Sequence, residues 1–185
     1  MNIIDNSTEF VSTPIKGTEL LIGCGSNPDK QLALPGKGNV WADVVRLDMD
    51  PNCDPDVLWD LEHMPLPFED NTFEEIHAYE VLEHIGKQGD WKTFFAQFTE
   101  FHRILKPGGR IFATVPAWDS AWAWGDPGHT RVINEGTLSF LQQSVYENDI
   151  GKTAMTDYRG VYKVDFEIEG MQESNGRLCF VLKAK

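Results

Sequence analysis

The 185-residue chain is short of cysteine, of positive charge and of long apolar runs, and each shortage removes a class of protein. Cys24, Cys53 and Cys179 are odd in number and lack C-x-x-C spacing, so neither a disulfide framework nor a zinc ribbon is indicated. No apolar stretch approaches the length of a membrane span. The opening MNIIDNSTEF lacks the basic region and apolar core of a secretory signal, so a reducing cytoplasm is the expected location. Lys and Arg number 16 against 29 Asp and Glu, a net charge of −13. With no local basic stripe to offset it, that charge repels phosphate backbones and disfavours nucleic acid as a partner.

What remains is ordinary for a globular protein: 41% hydrophobic and 24% charged residues, at a length that suits one domain with a full core. Residues 1–18 are polar and broken by Pro14 and Gly17, and read as an N-terminal arm ahead of a single domain over 19–185. Near-continuous apolar runs at about 19–23 and 43–48 suit parallel strands buried on both faces. Val57 to Trp59 reads as a third strand and Glu74 to Ala78 as a fourth. Tyr79 to Ile85 begins a helical turn. The clearest helix starts at Asp90, a fitting N-cap, and carries Trp91, Phe94, Phe95, Phe98, Phe101, Ile104 and Leu105 at helical spacing. Lys106-Pro107-Gly108-Gly109 should end it, and Arg110 to Val115 is a fifth strand. A further helix is expected at about 134–147, capped by Asn134. A strand follows over Val161 to Ile168, then a tight turn at Asn175-Gly176 and a return strand over Leu178 to Leu182.

The stretch from Glu19 to Pro51 organises the chain. An apolar run ends at Gly23-Cys24-Gly25, and a second ends at Asp48. Glycines let backbone N–H groups approach a ligand, and a carboxylate at the next strand tip can accept both ribose hydroxyls. The dinucleotide fingerprint is incomplete, since Pro28 replaces its third glycine. Pro28, Pro35, Gly36 and Gly38 also break residues 26–40, so the helix that faces a pyrophosphate is missing. A nicotinamide-dependent oxidoreductase is therefore disfavoured. A nucleoside ligand without phosphate tolerates the loss.

In that order of motifs the sequence resembles the class I, Rossmann-like S-adenosylmethionine-dependent methyltransferases. ELLIGCGSNP is similar to their glycine motif and RLDMDP to their ribose-acid motif. DPDVLWDLEHMPLPFEDNTFEEIHAYEVLEHI and FHRILKPGGRIFATVP resemble the segments that follow, from about Glu19 to about Val132. The D-P-x-H-x-R pattern at 126–131 resembles a compact branch with a shortened first helix. Glu75 departs from the family, which has Asp before its fourth strand.

The resemblance implies a seven-stranded, mostly parallel α/β sheet in the order 3-2-1-4-5-7-6, with strand 7 antiparallel. It implies S-adenosyl-L-methionine as cofactor and S-adenosyl-L-homocysteine as product. Gly23 and Gly25 would face the amino-acid part of the ligand and Asp48 the ribose, with Asp50 as its competitor. Met49 would pack on the adenine, and Asp60 with the Leu61 amide would read its edge. Tyr79 and Glu80 would lie beneath the methionine part, mostly through backbone atoms.

For the acceptor, Trp118 and Trp122 are candidate pocket walls, His129 a candidate base and Asp126 its candidate orienter. The bland alternatives are a surface loop packed over the core and an anchor for Arg131. Glu80, Glu83, His84 and His129 can also be drawn as a metal site. They lack a diagnostic spacing such as H-E-x-x-H, so a structural role is favoured and no metal is expected. The expected activity is methyl transfer to oxygen or nitrogen of a small-molecule or sugar-like acceptor. A non-catalytic adenosylmethionine-binding partner protein is the rival. HAYEVLEH also lacks the D/N-P-P-Y pattern of nucleic-acid amino-methyltransferases.

Overall fold

The computed structural model describes residues 17–185, so the expected arm lies almost wholly outside the described residues. Seven strands form one sheet: β1 Glu19–Ile22, β2 Val44–Asp48, β3 Val57–Leu58, β4 Phe73–Tyr79, β5 Leu105–Pro116, β6 Phe166–Ser174 and β7 Arg177–Ala184. Their order is β3-β2-β1-β4-β5-β7-β6, as expected. The five strands from β3 to β5 pair in parallel, and β7 runs antiparallel to both β5 and β6. All four residues of β1 are buried, which is why Leu20 to Ile22 read as an apolar run, with Glu19 a buried acid at its start.

One face of the sheet is covered by helix α1, Trp91–Ile104. The Asp90 carboxylate caps it by accepting from the Thr93 amide at 3.2 Å. Phe94, Phe95, Phe98, Phe101 and Ile104 form its buried stripe and join the main core with Leu20, Ile22, Ile76, Ala78 and Ile111. Burying each such side chain contributes about 1.5–3 kcal/mol, so this stripe fixes the helix to the sheet. Three short helices follow: α2 Ala121–Gly125, α3 Glu135–Ser139 and α4 Gln143–Asp149.

Three expectations need correction. The Lys106–Gly109 segment does not separate helix from strand. β5 starts at Leu105 directly after α1, and the segment is an excursion within it, with Phe73 paired to Leu105 and Glu75 already paired to Arg110. Asn134 caps as expected, but the helix after it breaks into α3 and α4. The break frees the Leu141 carbonyl to accept from the Phe166 amide at 3.0 Å, while the Asp165 carboxylate accepts from the Gln143 amide at 2.8 Å. β6 accordingly begins at Phe166, five residues later than the alternation suggests. Tyr162, read as a strand residue, is a buried loop residue packed on Phe95. The Asn175-Gly176 turn is as expected, with both residues at positive φ (53° and 74°).

Candidate functional site

The sheet reverses its winding between β1 and β4, and the crevice outside those carboxyl ends is where such folds bind ligands. Gly23 and Gly25 both adopt the left-handed conformation there, at φ 58° and 52°. Their roles differ. A Cβ on Gly23 would stand 2.4 Å from the Val81 side chain, so this glycine lets the tip of β1 press against the segment after β4. A Cβ on Gly25 would meet nothing within 4 Å, so its backbone faces open space. The Gly25 amide donates to Asp48 Oδ2 at 2.8 Å, and the Asp50 amide donates to Asp48 Oδ1 at 2.9 Å. Asp48 therefore ties two strand tips together, and each oxygen retains acceptor capacity.

Met49 is 68% exposed beside it. The Trp59 amide donates to the Asp48 carbonyl at 2.9 Å, which brings Asp60 to the same rim. Asp60 accepts from the Glu62 amide through Oδ1 at 2.9 Å. The Leu61 side chain is buried in the core, so only its backbone is available at the rim.

Behind this crevice, residues 26–42 take the place of a crossover helix. Lys30 reaches into the sheet and pairs with Glu19 and with Glu75, the latter at 2.8 Å. Glu19 also accepts from the Ala42 amide at 2.7 Å. The Leu32 amide donates to the Tyr79 hydroxyl at 3.2 Å. Tyr79 then donates to His77 Nδ1 at 2.6 Å, and His77 Nε2–H donates to Glu75 at 3.0 Å. Burial holds the His77 pKa below its ordinary value, against the pull of Glu75, and the ring is neutral. The hydrogen bond from His77, then Lys30, holds Glu75 down at about 2. Trp41 and Phe112 pack on the two sides of the imidazole. Tyr79 thus supports the loop with its side chain, and only its backbone is left for a ligand. Glu19 and Glu75, two acids within buried strands, were the signal for this network in the sequence.

A cleft of about 780 Å³ opens at the carboxyl ends of β4 and β5, beside the β6–β7 turn. Glu80, Glu83, His84, Trp122, His129 and Arg177 stand in its wall. The Glu83 backbone carbonyl accepts from the Thr130 and Arg131 amides at 3.0 and 3.1 Å, which fastens the 126–131 segment over it. His129 Nδ1–H donates to the Trp122 carbonyl at 2.8 Å, leaving the Nε2 lone pair facing Glu83 Oε1 at 3.9 Å and Asp126 Oδ2 at 3.8 Å. The Trp122 carbonyl thus holds the ring at Nδ1, with Asp126 on the side of Nε2. Asp126 also accepts from the Gly128 amide at 2.7 Å and shapes the turn.

Arg131 is anchored elsewhere, on the Lys87 and Asp90 carbonyls at 3.0 and 2.7 Å. Trp122 is 70% exposed at the mouth of the cleft. Trp118 lies apart from it, bordering a smaller hollow with Glu135 and Met171. Arg177, absent from the sequence-based set, enters from the first residue of β7, with Nε 3.6 Å from Glu80 Oε1.

Glu83 is only 2% exposed, and among the described residues neither carboxylate oxygen has a hydrogen-bond partner. Burial, with Glu80 and Asp126 nearby, raises its pKa to about 8 despite its own backbone amide and Arg177. Crevice and cleft adjoin, because Gly23 packs against Val81, the residue after Glu80, which lines the cleft.

A family profile described as a methyltransferase domain matches residues 20–113. Sterol 24-C-methyltransferase of Kluyveromyces lactis is 26% identical over 107 residues, 58% of this chain but only 26% of that protein's length. Two solved structures share the fold. A SAM-dependent methyltransferase from Archaeoglobus fulgidus superposes with a TM-score of 0.54 at 15% identity, over 89% of this chain and 85% of that one. N-methyltransferase NodS from Bradyrhizobium japonicum, solved with S-adenosyl-L-homocysteine, gives 0.52 at 12% identity, over 91% and 78%. With its matched profile, its strand order and an acid and a glycine turn joined at the switch point, the chain belongs to the class I S-adenosylmethionine-dependent methyltransferase family.

Proposed function

We propose that the chain transfers the methyl group of S-adenosyl-L-methionine to oxygen or nitrogen of a small polar acceptor held in the cleft. The adjacency of crevice and cleft carries this reading: a donor lying along Gly23, Gly25 and Asp48 ends beside Glu80, where the cleft begins. Asp48 accepts the ribose hydroxyls, Met49 covers one adenine face, and Asp60 with the Leu61 amide reads the adenine edge. The sulfonium is already an activated leaving group, so the protein mainly aligns the acceptor and excludes water. In a cleft without other ligands, His129 Nε2 takes the acceptor proton, its tautomer set by the Trp122 carbonyl.

A cleft walled by Glu80, Glu83, His129 and Arg177 favours an acceptor bearing hydroxyl or amino groups over a sterol. The net charge of −13 favours a small molecule over nucleic acid. Among the described residues no helix is long and apolar enough to cross a membrane.

Calorimetry with S-adenosyl-L-homocysteine and with NAD tests the cofactor, and donor consumption against a panel of polar metabolites tests the transfer. Binding of the homocysteine product with NAD excluded is the expected result, and equal affinity for NAD overturns the reading. Tight binding with no turnover across the panel would instead favour a non-catalytic adenosylmethionine-binding protein.

A further inference from the structure

The orphaned carboxylate in the cleft has a specific set of neighbours. Glu83, His84 and His129 each offer a ligand atom, and these atoms lie within 4.8 Å of one another. Both imidazoles are fixed in the same way. His129 Nδ1–H donates to the Trp122 carbonyl at 2.8 Å, and His84 Nδ1–H donates to the Gly128 carbonyl at 3.0 Å. In each ring Nε2 is then left for another partner, and the rings lie edge to face with centroids 4.7 Å apart. A backbone acceptor on the remote nitrogen is the outer-shell arrangement of metal-bound histidines. Beside them Glu83 is buried, with both oxygens unpartnered among the described residues.

An unpaired buried carboxylate costs stability unless something positive meets it. Arg177 stands with Glu80 and makes no ion pair with Glu83. The 3.9 Å from His129 Nε2 to Glu83 Oε1 suits two ligands of one ion, which at bonds of about 2.1 Å stand roughly 3–4 Å apart.

We propose that Glu83, His84 and His129 form a binding site for a first-row divalent transition metal ion, such as Mn²⁺, Co²⁺ or Zn²⁺. Two imidazoles select this class over Mg²⁺ and Ca²⁺, which take oxygen ligands. Three protein ligands leave positions open toward the cleft, as catalytic sites do. Glu80, the residue after β4 and held at φ 53°, has a buried Oε1 that lacks a hydrogen-bond partner among the described residues and lies close enough to contribute its charge.

The inference rests on the methyl-transfer reading only for its consequence. An acceptor hydroxyl bound to the ion becomes acidic, and its proton passes to solvent. Its oxygen pair then forms the O–CH₃ bond while the C–S bond breaks, with that pair left on sulfur. His129 then gives its lone pair to the ion and is not the base.

A second acid–imidazole cluster, Glu19, Glu75 and His77, has comparable spacing but is no rival. Lys30 already occupies it, and His77 Nδ1 is taken by Tyr79.

The test is Co²⁺ titration of the intact protein, followed by visible absorption, in about hundredfold excess Ca²⁺ to mask the acidic surface. One Co²⁺ per chain that survives the Ca²⁺ is expected. Glu83→Gln and His129→Gln should each weaken it by roughly a hundredfold or more, beyond the 10–100-fold typical of outer-shell losses. Calorimetry with S-adenosyl-L-homocysteine on the metal-free variants shows that they remain folded. Absence of a Ca²⁺-resistant Co²⁺ spectrum, or affinities unchanged in both variants, overturns the site. If the homocysteine product binds and Co²⁺ does not, the metal site alone fails. If Co²⁺ binds and the product does not, the metal site stands and the methyltransferase reading fails.

Discussion

Two clusters of acid and imidazole are built around β4, one in the sheet and one past its carboxyl end, and they are finished differently. On the loop-covered face, Glu19, Lys30, Glu75, His77 and Tyr79 form a chain of hydrogen bonds in which every member has a partner. At the carboxyl end, Glu83 has none for its carboxylate, and His84 and His129 are pinned only at Nδ1. Residue types and spacing hardly distinguish them. Satisfaction does: a completed buried network specifies structure, whereas an incomplete one is tolerated where a ligand completes it. The first cluster substitutes for a helix, and the second waits on chemistry.

The sharpest way to break the comparison is to unfinish the finished cluster. Lys30→Ala leaves Glu19 and Glu75 buried with their cation gone. Removing one partner of a buried pair costs about 3–5 kcal/mol, so this variant should show the largest fall in thermal midpoint. Its acid behaviour has a defined sign. Glu75 is held at about 2 by His77 and Lys30, below its ordinary 4.5, so its contribution is present above 4.5 and lost as pH falls toward 2. His77 is held below 6.5 by burial, so its neutral form also costs stability as pH falls beneath 6.5. Wild-type thermal midpoints should decline on acidification over both ranges, and His77→Phe should flatten the upper one. A wild-type midpoint insensitive to pH between 7 and about 3 would mean that the network contributes little.

Next in size is the cofactor end. Asp48→Ala removes two charge-assisted acceptors, together worth about 3 kcal/mol, so affinity for S-adenosyl-L-homocysteine should fall roughly a hundredfold or more in calorimetry. Asp48 also ties Gly25 to Asp50, so part of the loss is disorder of the turn. Gly25→Ala separates the two, because it strains a residue at φ 52° while leaving the carboxylate in place. An unchanged dissociation constant in Asp48→Ala would remove the ribose assignment.

The unfinished cluster should respond in the opposite direction from the finished one. Glu83→Gln replaces a buried, unpartnered carboxylate by a neutral amide of the same shape. In metal-free protein it should raise the thermal midpoint at neutral pH, because burial raises Glu83 to about 8, so the fold must hold a proton there that Gln does not need, and the gain should grow as pH rises from 4.5 towards 8. A fall comparable to that of Lys30→Ala would show that Glu83 is structural after all.

How much of this was legible in the sequence follows the same division. The glycine turn, Asp48 and the α1 stripe could be read because apolar periodicity and local motifs encode them, whereas the strand order came only with the family resemblance. The split between α3 and α4 could not, because it depends on Phe166 and Asp165 arriving from over twenty residues away. Alternation placed β6 too early because Tyr162 is buried by Phe95, and loop burial gives the same signal as strand burial. The Trp122 carbonyl that holds the His129 ring at Nδ1 could not be read either, because carbonyls leave no trace in side-chain patterns. Arg177 was invisible for a similar reason, since only the β6–β7 hairpin brings it to Glu80.

The smallest effect belongs to a residue between the two extremes. Asp60 is half finished: Oδ1 accepts from the Glu62 amide at 2.9 Å, while the residue stays exposed at the rim of the crevice. Asp60→Asn can keep its amide oxygen on Glu62, so the local turn and the thermal midpoint should stay within about 0.5 kcal/mol of wild type. The other end of the side chain then turns from an acceptor into a donor, which under the proposed adenine contact would oppose the exocyclic amine, itself a donor. A loss near tenfold in affinity for S-adenosyl-L-homocysteine, about 1.4 kcal/mol, is the expected outcome. Asp56→Asn is the matched control, because that acid is engaged with Arg46 through its amide at 2.8 Å and its guanidinium at 3.1 Å. Its loss should lower stability and leave affinity alone. If the control weakens binding and Asp60→Asn does not, the adenine lies against a different strand tip and the edge assignment moves with it.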